Sequence, residues 1–401
     1  MSKDENTGLI PSLRFPDFKL CEAWQYINAN KLFKQISNKE HNSELPILAI
    51  TQDHGAIPRD LIDYNVSVTE KSVKSYKVVE EGDFIISLRS FQGGIEYSKY
   101  KGICSPAYVI LRKEKEVDGS YFKHYFKTKR FIRDLTKNLE GLRDGKMISY
   151  KQFSEVLLPL PNPEEQKKLA EFLYSLDHLI TLQKSKLESL KLHQKGLMQQ
   201  LFPAKGETIP ELRFNEFKSD GEWNIRPLGK VAKNLDSKRI PITQQERTTG
   251  KTPYYGASGI IDYVKDYIFD EDLLCISEDG ANLVARTYPI AFSISGKTWV
   301  NNHAHVLKFE DYCTQIIVEN YLNSISLEDY LTGMAQPKLN RAKLDMIPIP
   351  LPKIDEQQKI ADCLLSIDSL ITESKQKIEA LENHKKGLVQ QVFPDMNKVV
   401  V

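Results

Sequence analysis

Apolar residues recur along two stretches of the chain at steps that alternate four and three. In the first they are Leu169, Leu173, Leu176, Ile180, Leu187, Leu190, Leu197 and Leu201, with Gln183 and Gln194 on the two polar rungs. In the second, 191 residues later, they are Ile360, Leu364, Ile367, Ile371, Ile378, Leu381, Leu388 and Val392, and the polar rungs are Ser374 and Lys385. A sustained seven-residue period with apolar a and d positions predicts two long helices that pair as an antiparallel coiled coil, because a lone amphipathic helix does not require so strict a period. From Leu169 to Leu201 such a helix runs for about 50 Å. Asn162 suits the cap of the first helix, Pro163 its first position and Glu165 the third residue past the cap. Lys353 stands where Asn162 does in the second copy, so that cap is weaker. Pro203 and Pro394 lack the amide hydrogen needed to continue either helix. Gly196 and Gly387 each cost about 1 kcal/mol inside a helix, so their recurrence predicts a close backbone crossing, with local flexibility as the alternative.

The duplication extends beyond the helices. Pro11-Ser-Leu-Arg-Phe-Pro-Asp-Phe18 returns as Pro210-Glu-Leu-Arg-Phe-Asn-Glu-Phe217, and Trp24 as Trp223, at an offset of 199. Pro159-Leu-Pro161, Glu165-Gln166, Gly196-Leu197 and Gln199-Gln-Leu-Phe-Pro203 return as Pro350-Leu-Pro352, Glu356-Gln357, Gly387-Leu388 and Gln390-Gln-Val-Phe-Pro394, at an offset of 191. The inserts between these frames share almost no identity. The expected architecture is α+β, with two globular mixed lobes at 1–158 and 206–345. Helical regions at 159–205 and 346–401 separate them, in a pseudo-two-fold internal repeat. The first helix leads directly into the motif that opens the second lobe, whereas the corresponding motif for the last helix sits at the N-terminus. This cyclic order predicts that the two ends of the chain lie near each other.

Composition adds bounds. A chain of 401 residues with 41% hydrophobic and 27% charged residues can bury one core in each of two lobes. Lys and Arg number 55 against 54 Asp and Glu, a net charge of +1, so a nucleic-acid reader with this balance must concentrate its cations locally. No apolar run reaches the length of a membrane span, and a soluble cytoplasmic protein is expected. Cys21, Cys104, Cys275, Cys313 and Cys363 are odd in number and scattered, which points to buried free thiols over zinc or disulfides.

In P-x-L-R-F-x-(D/E)-F opening each half, P-L-P with a following E-Q, and K-G-L-(M/V)-Q-Q-(L/V)-F-P closing it, the chain resembles the specificity subunits of type I restriction-modification systems. Pro253-Tyr-Tyr-Gly-Ala-Ser-Gly-Ile260, Ser277-Glu-Asp-Gly280 and Asn301-Asn-His-Ala-His-Val306 carry the same resemblance. It implies two target recognition domains, each reading one half of an interrupted sequence in double-stranded DNA. Paired helices would set the gap and dock two methyltransferase subunits, to which restriction subunits that translocate and cleave DNA can add. S-adenosylmethionine and ATP would then belong to the partner subunits, and this chain would carry no cofactor.

Motifs for chemistry within the chain are missing. Asn162-Pro163-Glu164 is not the (N/D)-P-P-(Y/F) of an adenine methyltransferase, and Ser295-Gly296-Lys297-Thr298 lacks the earlier glycine of a phosphate-binding loop. His303 and His305 stand two apart on an expected strand, where a polar face is the plainer reading than a metal site. Base edges are read by side chains that donate and accept in pairs, and phosphates by Lys, Arg or backbone amides. In the second lobe the candidates are Lys238, Arg239, Thr252, Tyr254, Tyr255, Ser258, Lys297, Asn301, Asn302, His303, Gln336 and Lys338. In the first they are Arg89, Ser90, Gln92, Arg143 and Lys146. The other readings are an enzyme of which this is the recognition half, and a coiled-coil structural protein without nucleic acid.

Overall fold

The computed structural model describes residues 10–62, 69–137, 148–333 and 336–394. The chain divides into two compact units, one of Met1–Gln183 with Lys377–Val401 and the other of Lys184–Gln376. The division falls inside the long helices, so each unit comprises a lobe and one half of each helix.

Those helices are Pro163–Leu201 and Ile354–Val392, each of 39 residues, and their bounds differ by the same offset of 191 as the sequence repeat. The Asn162 carboxamide accepts the Glu165 N–H at 2.8 Å. The Lys353 ammonium instead reaches Asp220 at 3.3 Å. Every seam residue, polar rungs included, is buried or half-buried, whereas most residues between them are exposed. In the first unit Leu169, Leu173 and Leu176 share one core with Val389, Val392 and Phe393. In the second, Leu197, Met198 and Leu201 share another with Ile360 and Leu364. The start of one helix thus lies against the end of the other, which is the antiparallel pairing. Two of the polar rungs find polar partners, Gln194 bonding Asp368 at 2.5 Å and Lys385 bonding Asp177. The glycines behave otherwise than expected. A Cβ on Gly196 or Gly387 would meet nothing within 4 Å, so neither marks a close backbone crossing.

The repeated motifs hold each lobe to a helix start. Arg14 donates to both carboxylate oxygens of Glu165, at 2.8 and 2.7 Å, and to the carbonyls of Cys21 and Glu22. Arg213 does the same to Glu356 at 2.8 and 2.7 Å, and to the Gly221 carbonyl. Gln166 and Gln357 each donate back to the last proline of their P-L-P, at 2.9 Å. The cyclic order is also physical. Leu212 N–H bonds Gln200 O in continuous chain, and Leu13 N–H bonds Gln391 O from the opposite end of the sequence, at 2.9 and 3.0 Å.

The inserts, unlike in sequence, share a topology. The first lobe has an antiparallel sheet in the order Phe33–Ile36, Val109–Lys113, Phe84–Ile86, Glu96–Tyr97. The second has Lys233–Asn234, Ala304–Lys308, Leu273–Ser277, Ala291–Ile294 in the same antiparallel order. In each unit a further strand pair joins lobe to frame, Gln25–Asn28 with Leu157–Leu160 and Asn224–Pro227 with Pro348–Leu351. Trp24 and Trp223 are buried in their respective cores. The thiols divide: Cys104, Cys275 and Cys313 are buried, Cys363 is half-buried, and Cys21, contrary to expectation, is exposed. Burial pushes the Cys104 thiol up to about 12.

Replacing Arg14 with Ala leaves Glu165 as a buried carboxylate without its cation. It should lower the stability of the first unit by about 3 to 5 kcal/mol in chemical denaturation, and Arg213→Ala should do so in the second. A loss below about 1 kcal/mol would show that the pair does not hold the frame.

His124 is buried 3.6 Å from Asp177, and desolvation holds its imidazole down to about 4. It is therefore neutral in the fold at neutral pH, while the unfolded chain takes up the proton near 6.5. The stability tied to this group is complete above pH 6.5 and is lost as pH falls toward 4, by about 3 kcal/mol in total. Thermal melts of His124→Gln should show a shallower decline over that window than the parent, and parallel declines would refute the assignment.

Candidate nucleic-acid interface

In the second unit, hydrogen bonds gather four loops beside one another. The Ser277 hydroxyl donates to Ala257 O at 2.5 Å, next to Ser258 in the turn between strands Thr249–Gly256 and Gly259–Val264. Glu278 N–H bonds His303 O, and Leu339 N–H bonds Glu278 O, so the 277–280 loop is held between the 301–303 turn and the 336–339 segment. Arg239 closes the group by donating to Glu278 at 2.7 Å and to Ala304 O at 2.8 Å. Five of the expected residues, Ser258, Asn302, His303, Gln336 and Lys338, are exposed in these loops.

The charge here is balanced. Glu278 contacts Arg239 at 2.7 Å and Lys338 at 3.1 Å. Burial opposes its ionisation, yet these cations and His305 hold it below the usual carboxylate range. Asp236 is likewise opposed by burial and held low by His305 at 2.6 Å and by the Val306 N–H. His305 bonds Leu339 O through its other nitrogen, at 2.7 Å. His303, half-exposed, meets Asp279 at 2.8 Å. The two histidines therefore face different partners, and among the described residues no group of three or more His, Cys, Asp or Glu could hold a metal ion.

Several expected contacts turn out to be internal. Tyr254 is buried, with its ring 4.5 Å from the Arg247 guanidinium and its hydroxyl against the Ile242 backbone. Thr252 and Asn301 are buried, and Asn301 accepts the His303 N–H at 2.8 Å. Tyr255 is half-buried and stacks on Phe292. Arg239 is spent on its carboxylates and carbonyls, leaving Lys238 as the exposed cation of that pair. Lys297 lies over the Tyr267 ring, at the far end of strand Lys297–Val300 from Asn301. Gly296 sits in a turn between two strands, which is not the strand-to-helix setting of a phosphate-binding loop.

In the first unit, Arg89 is exposed at the cap of the short helical turn Ser90–Gly93 and Gln92 is exposed on it, while Ser90 is buried and accepts the Ser87 N–H. Gly94 has φ 80°, and a Cβ there would stand 2.0 Å from Phe126 O, so only glycine fits. Arg143 and Lys146 lie outside the described residues. What the sequence reading passed over is the densest basic run of this lobe. Lys123, Lys127, Lys129, Arg130 and Arg133 fall within eleven residues that contain no acid. Its charge pattern was visible, but it lies far in sequence from the glycine loop.

The family model for the type I restriction modification DNA specificity domain matches residues 17–192 and again 220–383. The chain belongs to the type I restriction-modification DNA specificity family. Among curated members, a type I restriction enzyme specificity subunit of Methanocaldococcus jannaschii is 26% identical over 96% of this chain and 95% of its own length. A putative type I specificity subunit of Haemophilus influenzae is 35% identical over 39% of either chain. The fold is that of the solved type I restriction-modification S subunit from M. genitalium, at a TM-score of 0.59 and 16% identity, covering 97% of this chain and all of that one. No described helix is long and apolar enough to cross a membrane. The two matches coincide with the two halves of the repeat, each spanning a lobe and most of the long helix that follows it.

Separate substitutions distinguish the two neighbouring cations. Lys238→Ala should weaken DNA binding and reduce the slope of log affinity against log salt by about 0.9, one phosphate contact, without altering stability. Arg239→Ala should instead lower the melting temperature of the second unit by uncovering Glu278 and Asp236. The reverse pattern would exchange their roles.

Proposed function

We propose that this chain is the sequence-reading subunit of a type I restriction-modification complex, in which each lobe contacts one half of a bipartite target in double-stranded DNA. The observation that carries this is one frame, closed twice by the same buried Arg–Glu pair, holding two lobes of one topology whose exposed loops differ. Two unlike half-sites need two unlike readers. The loops around Ser258, His303 and Gln336 are polar and exposed, which suits donors and acceptors offered to base edges.

The paired helices act as the spacer that fixes the gap, and they dock two methyltransferase subunits, to which restriction subunits add. One structurally similar chain, at a TM-score of 0.55, comes from work on complex assembly in the type I R-M system. The chain itself is non-catalytic in this reading, with S-adenosylmethionine and ATP bound by its partners, and it works in the cytoplasm. Sequencing methylated adenines in a host that expresses this chain with its methyltransferase should return a two-part motif with a constant gap. An undivided motif would count against two readers, and unmodified DNA against the assignment as a whole.

A further inference from the structure

The first unit contains a cleft of about 1430 Å³ between the basic run, the turn at Gln52–His54 and the helix pair. Lysines and arginines outnumber carboxylates eight to four on its walls. Two of those carboxylates already hold lysines, Glu96 with Lys127 at 2.5 Å and Asp177 with Lys385. Lys99, Lys129 and Lys386 form no ion pair among the described residues. Lys123 lies deeper, with its ammonium 5.9 Å from the Tyr97 ring, and is shifted down first by burial and then by Lys99. Arg130 and Arg133 are paired with Asp134 beside the cleft, at 3.6 and 4.0 Å, so the excess of positive charge falls on the lysines.

The frame does not require this charge. Tyr125 packs on Phe393 at 5.3 Å, as Tyr321 packs on Phe202 at 5.6 Å in the second unit. Aligned on those tyrosines, Lys123 corresponds to Glu319, and the 191 offset makes Lys385 correspond to Gln194 and Asp177 to Asp368. The same framework position thus carries two lysines and one acid in the first unit, and two acids with a neutral amide in the second.

The cleft also borders the candidate reading loop. Lys127 donates to Gly93 O at 3.2 Å, and the Gln52 side chain packs so closely on Gly93 that a Cβ there would overlap it. We propose that this cleft holds the sugar-phosphate backbone of the DNA strand that leaves the Arg89–Gly94 loop, so that the first lobe grips phosphate through a site with no charge counterpart in the second. This rests on the DNA-reading function proposed above. Phosphate contacts fix register while base contacts select sequence, and placing the two side by side would position the first half-site.

The test uses the full chain in complex with its methyltransferase subunits. Binding is measured at several salt concentrations to a duplex bearing the motif found by methylation sequencing and to a scrambled duplex. Lys99, Lys129 and Lys386 are changed together to Glu, and in a second variant to Ala. Both variants should lose at least tenfold in affinity for either duplex by the same factor, with the salt slope reduced by about 0.9 for each contact removed. Unchanged affinity and slope in the Ala variant, or a loss confined to the motif duplex, would overturn the proposal. Loss of the methyltransferase subunits with the slope intact would overturn it in favour of an acidic protein segment. Equal binding of both duplexes by the unmodified complex would instead remove the reading function on which the proposal stands.

Discussion

The guanidinium of Arg14 lies within 2.8 Å of both oxygens of Glu165 in a buried setting, and Arg213 repeats the contact on Glu356. Removing such a pair from water is costly, and it is tolerated because both charges are matched bidentately and further guanidinium hydrogens reach the carbonyls of Cys21 and Glu22 or of Gly221. The pair joins the segment opening a half to the start of a long helix, and the neighbouring Gln166 or Gln357 ties in the P-L-P that closes the lobe. Each lobe is thereby oriented on a helix at a fixed place, whatever its loops contain. That separation between a constant frame and variable loops is what lets one architecture carry two different readers.

The helix pair supplies the second constraint. An apolar seam alone permits slippage by a heptad, whereas a polar residue on the seam is satisfied in few registers. Gln194 meets Asp368 and Lys385 meets Asp177, contacts related by the 191-residue repeat. Shifting either half-helix by one heptad would set Asp368 against Leu187 or Leu201 and Asp177 against Ile378 or Val392. The polar rungs therefore define the antiparallel register, and through it the place at which each lobe is mounted.

The loop cluster of the second unit and the cleft of the first are built by different means. In the second unit a compact set of cations and carboxylates, Arg239, Glu278, Asp236 and His305, ties loops from distant parts of the sequence into one face. Its charges are nearly all matched internally. The first unit leaves Lys99, Lys129 and Lys386 without an ion pair among the described residues around a cleft. A nearly neutral chain can in this way present one strongly basic concavity while the rest of its charge serves folding.

The sequence by itself determined the duplication, the helix bounds to within a residue or two, the seam and the cyclic closure. All of these are written as periodicity or as repeated motifs, and both are local properties of the chain. It also pointed to the family through residues that the structure shows to be the joints of the frame. Only the tertiary structure decided which candidate side chains reach the surface. Tyr254, Thr252, Asn301 and Ser90 look like readers in a loop but are consumed by the core, because burial depends on what packs from elsewhere in the chain. The common strand order of two dissimilar inserts was hidden for a related reason: many sequences satisfy one sheet topology. The basic cleft was also beyond sequence reading, since its walls come from residues near 53, 99, 129 and 386, which only folding brings together.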